Sequence, residues 1–379
     1  MTTKKLSAVL VALLAAASAF VPSVAANAAY RFSDFQGKPP VHVYKSAQQK
    51  PSGVTPAEIK KIYNLPASGG KGTIALIDAY DDPNMESDLA VFDKQYNLPA
   101  CTTANGCFEK HKMASSTAAN SDWAMETSLD VEWAHAIAPI AKILLVEAKT
   151  PSGANLMSAV DYAAARKDVV AVSMSWGGAE FSDELAEDSH FVGKGSSSIA
   201  FFASSGDDGT GASWPASSPN VIGVGGTSLE LASSGALIAE SAWSGSGGGV
   251  SAYEKEPAWQ MAYKISKAND MRAIPDVSYD ADPASGYPIY ITTGTGTKAK
   301  GAWDTVGGTS AGAPQWAAIQ ALGDTAALDK FYTDKASTST LKYFRDITSG
   351  SNGTCQYYCD ARKRYDYVTG LGSPQTTKF

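Results

Sequence analysis

A chain of 379 residues with 44% hydrophobic and 18% charged residues is too apolar and too sparsely charged to be a disordered polyelectrolyte. Its mean hydropathy of −0.15 excludes a multi-span membrane protein. Thirty-one Lys and Arg against 38 Asp and Glu give a net charge of −7, which offers no global basic field to nucleic acid or anionic lipid.

The first elements concern export. Lys4 and Lys5 precede an apolar run from Leu6 to Phe20, and the small residues Ala26-Asn27-Ala28 follow. This is the layout of a secretory signal peptide over residues 1–28, with an apolar core shorter than the roughly 20 residues of a membrane span. The mature product is then expected to be extracellular or periplasmic, away from the membrane and monomeric. In such a compartment four cysteines read as bridges, and Cys101–Cys107 with Cys355–Cys359 is the simplest of three pairings. The histidines His42, His111, His135 and His190 are scattered singly and make no zinc pattern with them.

Residues 29–64 read as a short, irregular leader that ends in a helix from Ala57 to Tyr63, with Pro56 at its first turn. Strand-length apolar runs follow at Thr73–Asp78, Ile143–Glu147, Val169–Ser175, Ile199–Ser204 and Val221–Val224, with amphipathic stretches between several of them. That alternation predicts an α/β fold with a mostly parallel sheet and helices on both faces. The stretch from Ser228 to Gly301 is rich in Gly, Ser and Tyr and reads as loops and short strands. A helix is expected from Thr309 to about Leu322.

Three segments could carry chemistry. In Gly307-Gly308-Thr309-Ser310-Ala311-Gly312-Ala313-Pro314, small residues surround one serine at the mouth of a helix. A substrate backbone can approach there, and the unpaired N–H groups of a helix start face a developing oxyanion. The segment resembles the G-T-S-A/M-x-x-P nucleophile motif of the subtilisin-like clan. No histidine lies in the His-Gly-Thr-His type segment that a subtilisin needs. Instead, Trp123-Ala124-Met125-Glu126-Thr127-Ser128-Leu129-Asp130-Val131-Glu132 carries two carboxyls at i,i+4, one turn apart on one helix face, where they can share a proton. It resembles the E-x-x-x-D helix of the sedolisins, the serine-carboxyl peptidases. Ala203-Ser204-Ser205-Gly206-Asp207-Asp208-Gly209 is similar to their S-x-G-D-x-G segment, and the three occur in the order that the family has. Further likeness lies in Ser173–Gly178, Gly245–Gly249 and Arg272–Tyr287, and it extends over Leu65 to Pro374.

The resemblance implies a subtilisin-like three-layer fold for residues 65–379 and a secreted, acid-active endopeptidase acting on protein or peptide substrates. Ser310 would be the nucleophile, Glu126 its base and Asp130 the partner that orients Glu126. Asp207 would stand in the oxyanion hole, where a carboxyl donates a hydrogen bond only when protonated. Asp208 is its rival for that place, and Glu132 is the carboxyl expected to face solvent. Asp78 sits where subtilisins keep a triad acid and is expected to be structural or a polar group beside the cleft. Asp346, the carbonyl of Ile347 and Asp366 match a calcium site of the family for one ion. Its two remaining carbonyls come from glycines where this chain has Arg362 and Arg364. The family also carries a long folded propeptide, whereas only the short leader precedes the first matched segment here. The alternatives are a secreted binding protein on the same fold and a neutral subtilisin-type peptidase.

Overall fold

The central strand, Thr73–Ala79, is buried along its whole length. Its side chains alternate between two cores: Ile74 and Leu76 join one hydrophobic cluster, Ala75 and Ile77 the other. A strand covered on both faces has no polar face to alternate with, which is why the sequence reads as an unbroken apolar run. The computed structural model describes residues 30–115, 118–194, 198–294, 299–323, 328–333 and 343–377. The expected signal peptide, 1–28, lies outside them.

Thr73–Ala79 belongs to an eight-stranded sheet. In spatial order its strands are Leu237–Ala242, Ile222–Leu231, Ala200–Ser204, Val169–Met174, Thr73–Ala79, Lys142–Ala148 and Phe108–Lys112, with Val277–Asp280 also pairing Ile222–Leu231. Every pairing is parallel except that of Leu237–Ala242 with Ile222–Leu231. Helices Met85–Tyr96, Ser121–Ile137 and Gly312–Leu322 pack on one face through Leu89, Leu129 and Ala317, and Gly153–Ala164 covers the other through Leu156 and Val160. This is the three-layer, subtilisin-like α/β arrangement expected from the sequence.

The stretch from Ser228 to Gly301 holds more regular structure than its composition suggests. Tyr287–Thr293 pairs antiparallel with Lys300–Gly307, which pairs in turn with His42–Gln48, so part of the leader closes a three-stranded sheet. The helix after Thr55 runs Pro56–Ile62; Thr55 and Glu58 form a reciprocal capping box, and Ile59, Ile62 and Tyr63 enter the main core. Both local disulfides form, Cys101–Cys107 and Cys355–Cys359.

One buried ion pair ties the turn between Met271–Ile274 and Val277–Asp280 to the strand Ile222–Leu231. The Arg272 guanidinium, fully buried, donates to both oxygens of Asp276 at 2.8 and 2.6 Å and to the carbonyls of Ala273 and Val221. Asp276 also accepts from Gly223 N–H and the Tyr332 hydroxyl. Removing one member strands the other charge in the interior. Arg272→Ala is expected to cost about 3–5 kcal/mol in urea unfolding, and a loss below about 1 kcal/mol would contradict this role for the pair.

Candidate active site

The helix Ser121–Ile137 begins with Asn120 accepting from the N–H groups of Asp122 and Trp123, an N-cap that fixes its first turn. From Glu126 onward every residue of the helix is buried, because the sheet covers one side and the strand Tyr287–Thr293 the other. Glu126 and Asp130 therefore share a face with no access to water, and neither Glu126 oxygen has a hydrogen-bond partner. Burial pushes the Glu126 carboxyl well above the ordinary range, the charges of Asp130 and Asp78 add to this, and the nearby Ser310 hydroxyl opposes it. Asp130 is raised for the same reasons, burial first and then Asp78. Two such groups cannot both ionise in that environment, so the pair holds at least one proton over a wide pH range.

Ser310 lies in a 3-10 turn, Thr309–Ala311, which leads directly into the helix Gly312–Leu322. One link ties it to the carboxyls: the Ser175 hydroxyl lies 2.7 Å from Asp130 Oδ1 and 3.3 Å from the Ser310 carbonyl. Asp207 approaches from the loop after Ala200–Ser204. Its Oδ1 accepts from the Thr309 N–H at 2.8 Å and the Thr309 hydroxyl at 2.7 Å, locking the carboxyl against the serine turn. The Asp207 side chain is only 5% exposed, and burial raises its pKa although His42 and Thr309 pull the other way. Asp208 points outward and is exposed. The Gly308 φ of 133° places its backbone so that a Cβ there would collide with Asp207 Oδ2 and the Pro40 carbonyl. Only glycine fits.

The four residues singled out from motif order thus surround one buried point. Asp78, expected to be structural or a polar group beside the cleft, is fully buried beside the pair, burial pushing it up to about 8. Two further neighbours were not legible in advance. His42, from the leader, sets its Nε2 3.1 Å from Asp207 Oδ2, an ion contact without linear hydrogen-bond geometry. The Ser310 hydroxyl donates to the Pro40 carbonyl at 2.7 Å. A lone histidine and a Pro-Pro step in an irregular segment carry no motif, so only the chain's path reveals them. Glu132 corrects an expectation: it is fully buried, not solvated, and both its oxygens accept the Tyr290 N–H. The strand that hides it lies in the region read as loops.

A cleft of about 610 Å³, lined by Pro39–His42, Gly177–Ala179 and Ser205–Gly211, opens onto Asp207. A second hollow of about 470 Å³, bounded by Phe191, Trp259 and Gln320, contains none of the site residues.

Farther away, the 362–364 backbone runs between two carboxylates. Asp346 accepts Arg364 N–H at 2.9 Å and Asp366 accepts Arg362 N–H at 2.9 Å. Asp366 also takes the N–H groups of Val368 and Thr369 and the Thr369 hydroxyl, and burial raises it to about 7. Arg364 adopts a φ of 69°, the left-handed conformation a glycine would take freely. The Arg362 guanidinium turns to Asp360 and the ring of Tyr357.

Comparison with known proteins bears on the whole arrangement. Residues 95–343 match the family described as the subtilase family. Sedolisin of Pseudomonas sp. (strain 101) is 35% identical over 247 residues, 56% of this chain and 40% of that protein. Kumamolisin of Bacillus sp. (strain MN-32) is 29% identical over 369 residues, 87% of this chain and 63% of that protein. The chain thus spans less than two thirds of either relative. The solved structure of Pseudomonas sedolisin, a serine-carboxyl proteinase complexed with pseudo-iodotyrostatin, superposes with a TM-score of 0.71 at 27% identity, covering 86% of this chain and 96% of that one.

The buried acids make a prediction about stability. Burial raises Asp78 and Glu254 to about 8, Glu184 to about 9 and Asp93 and Glu147 to about 7. The folded chain keeps protons that the unfolded chain releases near pH ~4, so this stabilisation is complete below ~4 and is lost as pH rises through those higher values. Asp168, held near 2 by Arg166, works in the opposite sense only in stronger acid. The melting temperature is expected to be higher at about pH 4.5 than at about pH 8. A higher value on the alkaline side would contradict this assignment of protons.

Proposed function

This chain belongs to the subtilase family, on its sedolisin branch, and we propose that it is an acid-active serine-carboxyl endopeptidase acting on proteins or peptides. The observation that carries the reading is the convergence on Ser310 of a proton-sharing carboxyl pair and a nearly buried third carboxyl. In this reading the Ser310 oxygen attacks the scissile carbonyl carbon, and Glu126 takes the serine proton and returns it to the leaving amine. Asp130 holds the second proton of the pair and is itself oriented by Ser175. Asp207, protonated, donates to the oxyanion; its raised pKa favours the required form in acid. Water then releases the acyl group.

A neutral subtilisin-type mechanism has less support. His42 is the histidine at the site, and it contacts Asp207, whereas the Ser310 hydroxyl donates to Pro40. A binding protein without turnover would not need carboxyls held uncharged around a serine, an arrangement that costs several kcal/mol of desolvation if they ionise.

The test is the pH dependence of hydrolysis of a denatured protein. Wild type should give a bell centred in acid; Ser310→Ala should lose at least about 10³-fold, and Glu126→Gln about 10²–10⁴-fold. Asp207→Asn keeps a donor at every pH and should extend activity toward neutrality. Undiminished activity of Glu126→Ala at neutral pH would sink the mechanism.

We also propose that residues 1–28 direct export, that the protein acts outside the cytoplasm as a monomer, and that one Ca²⁺ binds at Asp346, Asp366 and the carbonyls of Ile347, Arg362 and Arg364. No helix among the described residues is long and apolar enough to cross a membrane. The donor set of carboxylates and carbonyls is hard and fits calcium chemistry, and both carboxyls are raised by burial, so a cation would relieve them. Asp366 has four donors already, so an ion would have to displace some of them. When bound, the ion would brace the C-terminal loop rather than take part in catalysis. Chelation is expected to lower the melting temperature by several degrees, with recovery on adding Ca²⁺ and no response in Asp366→Asn; a chelator-insensitive wild type would exclude the site.

A further inference from the structure

One wall of the cleft is a very short strand. Gly178–Ala179 pairs antiparallel with Ser213–Trp214 as a two-stranded sheet of its own, and Gly177 to Ala179 and Ser213 line the cleft. A ribbon of that length has too few ladder bonds to hold its own position. Yet this edge takes an extended chain. Lys38 and Gly177 exchange both backbone hydrogen bonds, Lys38 N–H to Gly177 carbonyl at 3.0 Å and Gly177 N–H to Lys38 carbonyl at 3.2 Å. Farther along that chain, the Pro40 carbonyl meets the Ser310 hydroxyl at 2.7 Å. A strand added to Gly177 is thereby brought into register with Ser310.

What fixes the edge follows it in sequence. Glu180 takes the Ser251 hydroxyl on Oε1 and the Ala252 N–H on Oε2, the latter at 2.9 Å. Both donors lie in the strand Gly249–Lys255, whose pairing with Met271–Ile274 shifts register between Val250 and Lys255. Such an irregularity frees backbone N–H groups that must find other partners. Ser251, only 3% exposed, gathers them: its oxygen accepts from Tyr253 N–H at 3.1 Å and Glu254 N–H at 2.8 Å, while its proton goes to Glu180. Glu184 secures the same segment from its other end, accepting from Phe181 N–H at 2.9 Å and the Ser217 hydroxyl at 3.2 Å. Burial and the Glu180 charge push Glu184 up to about 9, so it adds no second negative charge in acid. Between the two, Phe181 is buried against Phe35 and Trp214.

We propose that Glu180 is a positioning residue for substrate binding: it anchors the Gly177–Ala179 edge to the strand Gly249–Lys255, and so holds the place where the third residue before the scissile bond pairs with Gly177. This rests on the peptidase reading above and deepens it. The signature of the role is selective. A peptide long enough to reach Gly177 depends on Glu180, and a shorter one does not.

Two fluorogenic peptides, built on a bond that the full chain cuts in a denatured protein, read the outcome at about pH 4. One begins two residues before that bond and the other begins five before it. Wild type should prefer the longer. Glu180→Ala is expected to lower kcat/KM for the long peptide about tenfold, through KM, and to spare the short one. Glu180→Gln keeps an oxygen for one of the two donors and should recover part of the loss. Ser251→Ala removes the other end of the tether and should show the same selectivity, so the result does not hang on how one variant folds. Competition from the leader acts on both peptides alike and cancels in their ratio. A wild type without preference for the longer peptide, an unchanged ratio in both variants, or equal losses on both peptides overturns the anchoring role and leaves the peptidase reading standing. A wild type that cuts neither the peptides nor the denatured protein overturns the peptidase reading, and the anchoring role with it.

Discussion

The site depends on carboxyl groups buried without cations to balance them. Asp78, Glu126 and Asp130 lie together under the ends of the sheet strands, all fully buried, and among the described residues no Lys or Arg forms an ion pair with any of them. An isolated carboxylate in such surroundings is far costlier than a protonated acid, so the fold itself enforces protonation. In the proposed mechanism, what looks like an electrostatic defect is the source of the chemistry. A base that must share its proton with a neighbour becomes active through small displacements of that proton, and an oxyanion donor that must be neutral is kept neutral by burial. Lys110, by contrast, reaches Asp81 and Glu147, and these acids stand outside the serine's neighbourhood.

Packing enforces the same constraint from a second direction. The helix Ser121–Ile137 can bury acids on two faces only because it is enclosed between the sheet and the strand Tyr287–Thr293, with Trp133 Nε1 donating to the Pro288 carbonyl and Glu132 taking the Tyr290 N–H. Satisfying these polar groups fixes the helix's rotation, and the rotation aims Glu126 at Ser310. Ser175 joins Asp130 to the backbone of the serine turn. Asp207 holds the same turn through Thr309. The nucleophile is thus positioned by two of the acids it would work with, so a change at either is felt as geometry as well as charge.

Much of this was legible in the chain's order. Apolar runs at Thr73, Ile143 and Val169 announced a parallel sheet because strands buried on both faces have no alternation to hide. Glu126 and Asp130 could be placed together because i,i+4 on a helix is a local relation, and the small residues around Ser310 announced a close approach. What failed to show was everything set by contacts distant in sequence. Glu132 reads as a surface acid until the strand Tyr287–Thr293 is placed over it, and that strand was hidden in a stretch whose Gly and Tyr content suggested loops. Asp78 could be expected near the cleft, but its burial against the carboxyl pair appears only when the helix face arrives beside it. His42 and Pro40 have no local signature at all, since their meaning comes from Asp207 and Ser310, more than a hundred residues away.

The leader shows how one segment satisfies two requirements. Strand His42–Gln48 must stay, because it covers the edge of Lys300–Gly307, the strand that delivers Gly308 and Ser310 to the site. The stretch before it lies across the cleft, with Gly37 and Lys38 bonded to the Pro151 and Gly177 backbone. The boundary between these roles falls where the Pro40 carbonyl touches the nucleophile. On one side the segment is held by antiparallel pairing broken by two register shifts, on the other by a few edge bonds and two prolines that donate none. The difference in hydrogen bonding divides the leader into a part built into a sheet and a part laid across the cleft, and Ser310 stands at the junction.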